Sequence, residues 1–401
     1  MTVISAFTGL GGLDLGLERA GFENVGCIEQ DAIARQSLLA NRPDWELIEP
    51  HEVSAVSRTI VPVNIGLWRR ELSLLAGAPV CQPFSKAAQW TANGRRGLAD
   101  PRSRCLTGFF RLVDRFLPRV VLIENVPGFI RGDESALKRV TRSLQRINRT
   151  HGTRYKARFE VVDAADYGVP QHRKRAIVVA ERGGGCFRLP NATHKSTPIT
   201  AWDALSPLHV APAPQVELEP GWLDLLPSIP EGRNYLWHTP KGGGLPLFGY
   251  RTRYWSFLLK LAKNRPAWTL VAQCGPYTGP FHWNNRRLTE TECLRLQSFP
   301  EVWRVHGNAA QRMRQIGNAT PPLLAEVLGR AIAAQFFNRE FCDAPSLAIR
   351  KKAEPCSVSI VGSAPSKYKS RIKNWPDHPG PGKGPRPRRN SARDEKDLQA
   401  A

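Results

Sequence analysis

The sequence predicts an α/β fold: a doubly wound, mostly parallel sheet followed by a smaller, irregular domain. Three observations predict it. Short apolar runs alternate with helix-period segments through residues 1–182. From Gly183 the chain turns rich in Gly and Pro, and the alternation stops. After Pro321-Pro322 a helical apolar pattern returns.

The expected strands are Val3–Phe7, Val25–Ile28, Leu72–Ala76, Val120–Ile123, Phe159–Val162 and Ala176–Ala180. Runs this short and this apolar suit strands covered on both faces, as in Rossmann-like sheets, whose ligands sit at the carboxyl ends of the strands. Residues 183–314 carry Gly183-Gly184-Gly185 and Gly242-Gly243-Gly244, with aromatics among basic residues in Arg251-Thr-Arg-Tyr-Trp255. Residues 315–342 hold the returning helix. There Leu323, Leu324, Val327, Leu328, Ala331, Ile332 and Phe336 share one face, and the two prolines suit a helix start. Residues 343–401 read as a basic tail. From Pro345 it holds 13 Lys/Arg against 5 Asp/Glu, and a stretch of that composition is expected to stay disordered.

The chain has 401 residues and a formal net charge of +22, which suits a polyanionic partner. None of its 8 cysteines lies in a C-x-x-C pair, so a zinc site has little support and no metal is expected. Met1 runs almost directly into an apolar strand, and no apolar run approaches the roughly 20 residues of a membrane span. The expectation is a monomer with free thiols in a reducing cytoplasm, without a membrane partner.

Six short segments carry candidate chemistry. Phe7-Thr-Gly9-Leu10-Gly11-Gly12 follows the first strand, and the acid Glu29 follows the second. Glycines admit a close ligand, and a carboxylate accepts ribose hydroxyls, so this pair predicts an adenosine-type ligand. Cys81 lies in Gly77-Ala-Pro79-Val-Cys81-Gln82-Pro83-Phe-Ser85, on a loop at the sheet's carboxyl edge, where a nucleophile would sit. Glu124-Asn125 ends an apolar strand, a setting that raises a carboxylate pKa and lets it hold a proton. Arg173 and Arg175, in Gln171-His-Arg-Lys-Arg175, could grip a base edge or a phosphate. Arg287 to Pro300 reads as a capped, structural helix. Gln315-Ile-Gly317-Asn318 leads into the returning helix.

In this order the six segments resemble the motif series of the DNA cytosine-5 methyltransferase family, over residues 1–180 and 286–338. The resemblance implies a class I methyltransferase fold, S-adenosylmethionine as cofactor and duplex DNA as partner. It also implies a separately acting restriction endonuclease, as in bacterial restriction–modification pairs. Residues 183–314 then stand where that family has its target-recognition domain. The family's donor site maps onto Phe7, Gly9, Leu10, Gly11, Gly12, Glu29 and Asn318, with Glu52 where an acid contacts the adenine amino group. Its catalytic residues map onto Cys81 as nucleophile, Glu124, and Arg173 and Arg175. Gln82, Ser85 and Asn125 fall on the target base. Arg251 and Arg253, with Tyr254 and Trp255, are expected on the DNA-facing surface. The chain departs from the family at Val80, where proline is usual, at Gln30, where an aromatic is usual, and at Thr320, where valine is usual. The same scaffold also admits a tRNA cytosine-5 methyltransferase. The glycine loop alone admits a nicotinamide-dependent oxidoreductase, and a catalytically dead DNA-binding regulator is a third alternative.

Overall fold

The computed structural model describes residues 1–84, 97–208, 221–251, 253–352, 357–372 and 374. All six expected strands form: β1 (Thr2–Ala6), β2 (Glu23–Ile28), β3 (Leu74–Gly77), β4 (Val120–Asn125), β5 (Lys156–Asp163) and β6 (Lys174–Glu181). They make one sheet in the order β2-β1-β3-β4-β6-β5. The first four run parallel, and β6 is antiparallel to both β4 and β5. The switch follows from loop length. A parallel connection needs a crossover of a dozen or more residues, and β5 reaches β6 through a short turn at Ala164–Tyr167.

Alternate strand residues cover the two faces, as a two-residue period requires. Ile4, Leu75, Val121, Ile123 and Val178 meet α3 (Val53–Thr59), α4 (Cys105–Phe116) and α5 (Leu137–His151). Val3, Leu74, Ala76, Leu122, Ile177 and Val179 meet α1 (Gly12–Arg19) and α9 (Pro322–Phe337). The returning helix is therefore α9, and its leucines close the second face. A Cβ at Gly16 would sit 2.3 Å from the Pro322 carbonyl oxygen, so glycine there sets how closely α1 and α9 approach.

The expected return at residue 315 begins earlier. α7 (Glu290–Leu296) and α8 (Ala309–Asn318) already pack against α2 (Ala32–Asn41), with Leu294, Phe299, Trp303 and Ile316 around Leu38 and Trp45. The capped helix that the sequence predicts is α7, and its cap is reciprocal: the Thr289 hydroxyl accepts the Glu292 N–H and the Glu292 carboxylate accepts the Thr289 N–H.

The described residues between α6 (Ala201–Leu205) and α7 form no strand of the sheet and no α-helix. They enclose a separate core of Leu223, Leu226, Ile229, Tyr235, Phe248, Leu258 and Phe281.

The expected disordered tail is corrected over its first part. Residues 343–352 and 357–372 are described, and several of them pack. The Ser346 and Leu347 N–H groups bond to buried Glu326 of α9, and the Ser359 N–H bonds to Glu231. Tyr368 is buried in the second domain, stacked on Trp222 at 5.5 Å, with its hydroxyl donating to Asp224 at 2.7 Å. Composition misleads here because a few apolar and hydrogen-bonding positions are enough to anchor a charged strap onto a core that already exists. No helix of the described residues is long and apolar enough to cross a membrane.

Candidate active site

A cavity of about 540 Å³ opens at the carboxyl edge of β1 to β4, within the range of small-molecule sites. It is lined by the ends of the strands and the loops after them, by residues of α1 to α4 that border them, by Arg175 of β6 and by the end of α8.

The loop after β1 makes one wall. Phe7 has φ 61°, in a region costly for a residue with a side chain, and is held there by its N–H bond to the Ile28 carbonyl at 2.8 Å. Glu29 is buried at the end of β2. One of its oxygens accepts the Gly9 N–H at 2.7 Å and the other the Asp31 N–H at 2.7 Å. Burial raises its pKa against those two bonds. A carboxylate has about four acceptor directions, so Glu29 can also take two hydroxyls. Phe7, Gly9, Leu10, Glu29, Glu52 and Asn318 all line the cavity. Gly11 and Gly12 are not among the lining residues. Gly11, at φ 82°, caps α1 beneath the loop, and a Cβ on Gly12 would come 2.1 Å from the Thr320 carbonyl oxygen. These two glycines serve the turn and its packing.

The loop after β3 carries Cys81, half-buried on the same cavity. It is held from below: the buried Asn125 side chain donates to the Pro79 carbonyl at 2.7 Å, and the Phe84 N–H bonds to the Cys81 carbonyl at 2.9 Å. Asn125 thus reaches the cavity and also anchors the Cys81 loop. Burial pushes the Cys81 thiol above its ordinary value, and Glu124 adds to that push. The Arg175 and Arg173 guanidinium groups pull it down without prevailing. Positive charge is present beside the thiol, but desolvation outweighs it.

Glu124 ends β4, and its carboxylate meets the Arg175 Nε at 2.7 Å across the antiparallel β4–β6 pair. The apolar strand end that the sequence predicts around Glu124 thus also holds a guanidinium. Both residues line the cavity.

Arg173 departs most from expectation. It is 1% exposed, lies outside the cavity lining, and donates to the carbonyls of Gly317 at 2.7 Å and Ala319 at 2.9 Å. It ties β6 to the turn between α8 and α9. Arg173 stands one residue before β6 begins, so the alternation of the strand does not hold it to the face that Arg175 takes. Gln171 extends the same tie, donating to Gln297, which donates to the Ile316 carbonyl at 2.7 Å. Arg173→Met is expected to lower stability by about 1–3 kcal/mol, because the buried carbonyls of Gly317 and Ala319 lose their donor, read as a fall in the urea midpoint.

Gln82 is exposed on the lining, and its side-chain oxygen accepts Arg102 Nη1 at 2.5 Å. Ser85 lies outside the described residues. Arg251 and Arg253 are exposed on the second domain, away from the cavity lining. Tyr254 is 59% exposed and Trp255 45% exposed, so they form no core aromatic cluster. Trp255 stands edge-on to Trp268 at 5.9 Å, and Trp268 lies 6.2 Å from the His172 ring beside β6.

Sequence reasoning missed Arg102, which lines the cavity and is fixed by Asp100 through Nε at 2.9 Å and Nη2 at 2.6 Å. It also missed the closure of α8 onto α2 by the Asp31–Arg314 pair at 2.6 Å and the Ser37–Gln315 hydrogen bond at 2.8 Å. Asp100-Pro-Arg102 was the one local signal, an Asp-headed turn; the α2–α8 pairs are far apart in sequence and left none.

A family model described as C-5 cytosine-specific DNA methylase matches residues 1–334. The chain is 33% identical over 377 residues to type II methyltransferase M.SacI of Streptomyces achromogenes, covering 84% of this chain and 93% of that one. It is 28% identical to type II methyltransferase M1.HphI of Haemophilus parahaemolyticus, covering 83% and 86%. Among solved structures, the Entamoeba histolytica methyltransferase EhMeth superposes with TM-score 0.54 at 16% identity, over 85% of this chain and 99% of that one, a likeness of fold.

Proposed function

The chain belongs to the C-5 cytosine-specific DNA methylase family and is a methyltransferase; from that premise we propose that it methylates carbon 5 of a flipped cytosine in a specific duplex sequence, through a covalent bond to Cys81. The observation that carries this reading is one cavity lined at one end by Phe7, Gly9 and Glu29 and at the other by Cys81, Glu124 and Arg175.

The first end fits S-adenosylmethionine. Glu29 has acceptor capacity left for two ribose hydroxyls, Phe7 offers an apolar ring, and Asn318 closes the rim. Bound there, the donor would supply an electrophilic methyl group. The chain's own residues do the rest. Cys81 Sγ adds to carbon 6 of the base and makes carbon 5 nucleophilic. Glu124 hydrogen-bonds or protonates ring nitrogen 3 and so stabilises the charge that develops as sulfur adds. Arg175, already beside Glu124, orients that carboxyl and reaches the exocyclic oxygen. Once carbon 5 carries the methyl group, a water takes the carbon-5 proton, and the electron pair released re-forms the ring double bond as the C–S bond breaks and frees the thiolate.

These atoms are unreachable inside a duplex, so the base must leave the stack. The second domain, with Arg251, Arg253, Tyr254 and Trp255 exposed, is the surface we assign to holding the opened duplex. The relatives' type II names support a companion endonuclease that reads the same sequence.

Bisulfite sequencing of DNA from cells expressing the protein tests the proposal. One short sequence should resist conversion at one cytosine position. Full conversion everywhere, with the folded protein present, would overturn it. Calorimetry should show donor binding that Glu29→Ala removes.

A further inference from the structure

The face of α5 turned to solvent carries only basic charge. Lys138, Arg139, Arg142, Arg146 and Arg149 are all exposed, and the helix contains no Asp or Glu. Arg139, Arg142, Arg146 and Arg149 recur every three or four residues and form one stripe. Like charges at that spacing weaken a helix, so the arrangement opposes the helix's own stability. Val140, Leu144 and Ile147 hold the opposite side against the sheet.

Neutralisation within the protein is slight. Arg139 Nη2 reaches the Thr107 hydroxyl at 2.9 Å, and Arg146 lies 3.8 Å from Asp114, which also takes His151 at 2.8 Å. Among the described residues Lys138, Arg142 and Arg149 have no side-chain partner. At the carboxyl end of α5 the segment before β3 joins the patch. Arg70 donates to the His151 carbonyl at 3.0 Å, Arg69 to the Asp114 carbonyl at 2.9 Å, and Trp68 stands 76% exposed beside them. The acid on that segment, Glu71, is turned back to accept the Trp68 N–H at 2.6 Å.

We propose that α5 and Trp68 form a second nucleic-acid surface, which holds the phosphate backbone of a duplex segment other than the one in the active site. This rests on the reading of the protein as a duplex-DNA enzyme. The stripe follows β4 backward from the catalytic edge. A helix of this length spans about 22 Å, so its far end lies at the opposite edge of the sheet. A duplex is stiff over about 150 base pairs, so a target lying across the catalytic edge cannot also turn down this flank. A second segment can. An arginine every three or four residues faces a dense row of phosphates, and Trp68 adds a flat apolar surface for a sugar or base. A surface of this kind passes the protein directly from one segment to another.

The test is the dissociation of a labelled target-length duplex, followed by anisotropy against rising concentrations of unlabelled duplex. For the unaltered protein the apparent dissociation rate should climb with competitor. In Arg142→Glu/Arg146→Glu/Arg149→Glu the slope should fall at least five-fold, with turnover on the short duplex unchanged. Arg142→Gln/Arg149→Gln is the milder second variant, should the triple change fail to fold. A rate independent of competitor in the unaltered protein, an undiminished slope in a folded variant, or equal acceleration by polyglutamate would each overturn the inference. Absence of duplex binding altogether would instead overturn the proposed function.

Discussion

Cys81→Ala is expected to end turnover, with a fall of about 10⁴-fold or more, while duplex and donor still bind within a few-fold. In the proposed mechanism the thiol bonds to carbon 6, and no described neighbour replaces it. Cys105 lines the same cavity but belongs to the start of α4, outside the loop that Asn125 anchors. Single-turnover methylation with labelled donor measures the loss, and duplex anisotropy measures the retained binding. Residual turnover above about 1% would remove Cys81 from the mechanism.

The same thiol makes a pH prediction. Burial holds Cys81 above the ordinary thiol range, so the resting protein is mostly thiol at neutral pH. The thiolate fraction therefore grows as pH rises. Inactivation by iodoacetamide should be slow at pH 7 and still rising at pH 9. A plateau below pH 8 would show that Arg175 and Arg173 outweigh burial. Activation during catalysis would then need no help from bound substrate.

Glu124→Gln is the second large effect, a fall of about 10²–10⁴-fold in the chemical step. The side chain keeps nearly its shape, and glutamine can still accept from Arg175. What it loses is the negative partner of a guanidinium 2.7 Å away and the ability to carry a proton to ring nitrogen 3. The loss should fall on kcat rather than KM; a loss confined to KM would assign Glu124 to holding Arg175 alone. Arg175→Lys separates the two roles further. Lysine keeps the charge but not the planar fork, so a severe loss there would locate the need in geometry.

Much of this was legible along the chain. Each of the six strands was marked by apolar residues that must be covered on both faces. The functional loops follow strands, where an open sheet leaves room for ligands. Cys81, Glu124 and Arg175 meet because β3, β4 and β6 are neighbours in the sheet, and the motif order already implied that meeting. The errors were of another kind. Arg173 and Arg175 look equivalent in sequence, yet one enters the site and the other pins a turn 144 residues away. Their side chains are identical, and only the surroundings of β6 distinguish them. The strap around Tyr368 was hidden by its composition, since its anchors fit a core made by residues far earlier in the chain.

The sequence by itself determined the sheet, the helix that closes it and the residue types at the site, because hydrophobic period and local turn chemistry are properties of neighbours in the chain. Only the tertiary structure decided which arginine lines the cavity, how burial and charge balance at Cys81, and that the end of α8 closes the cavity. Those depend on desolvation and on distances between segments hundreds of residues apart, which no local pattern encodes.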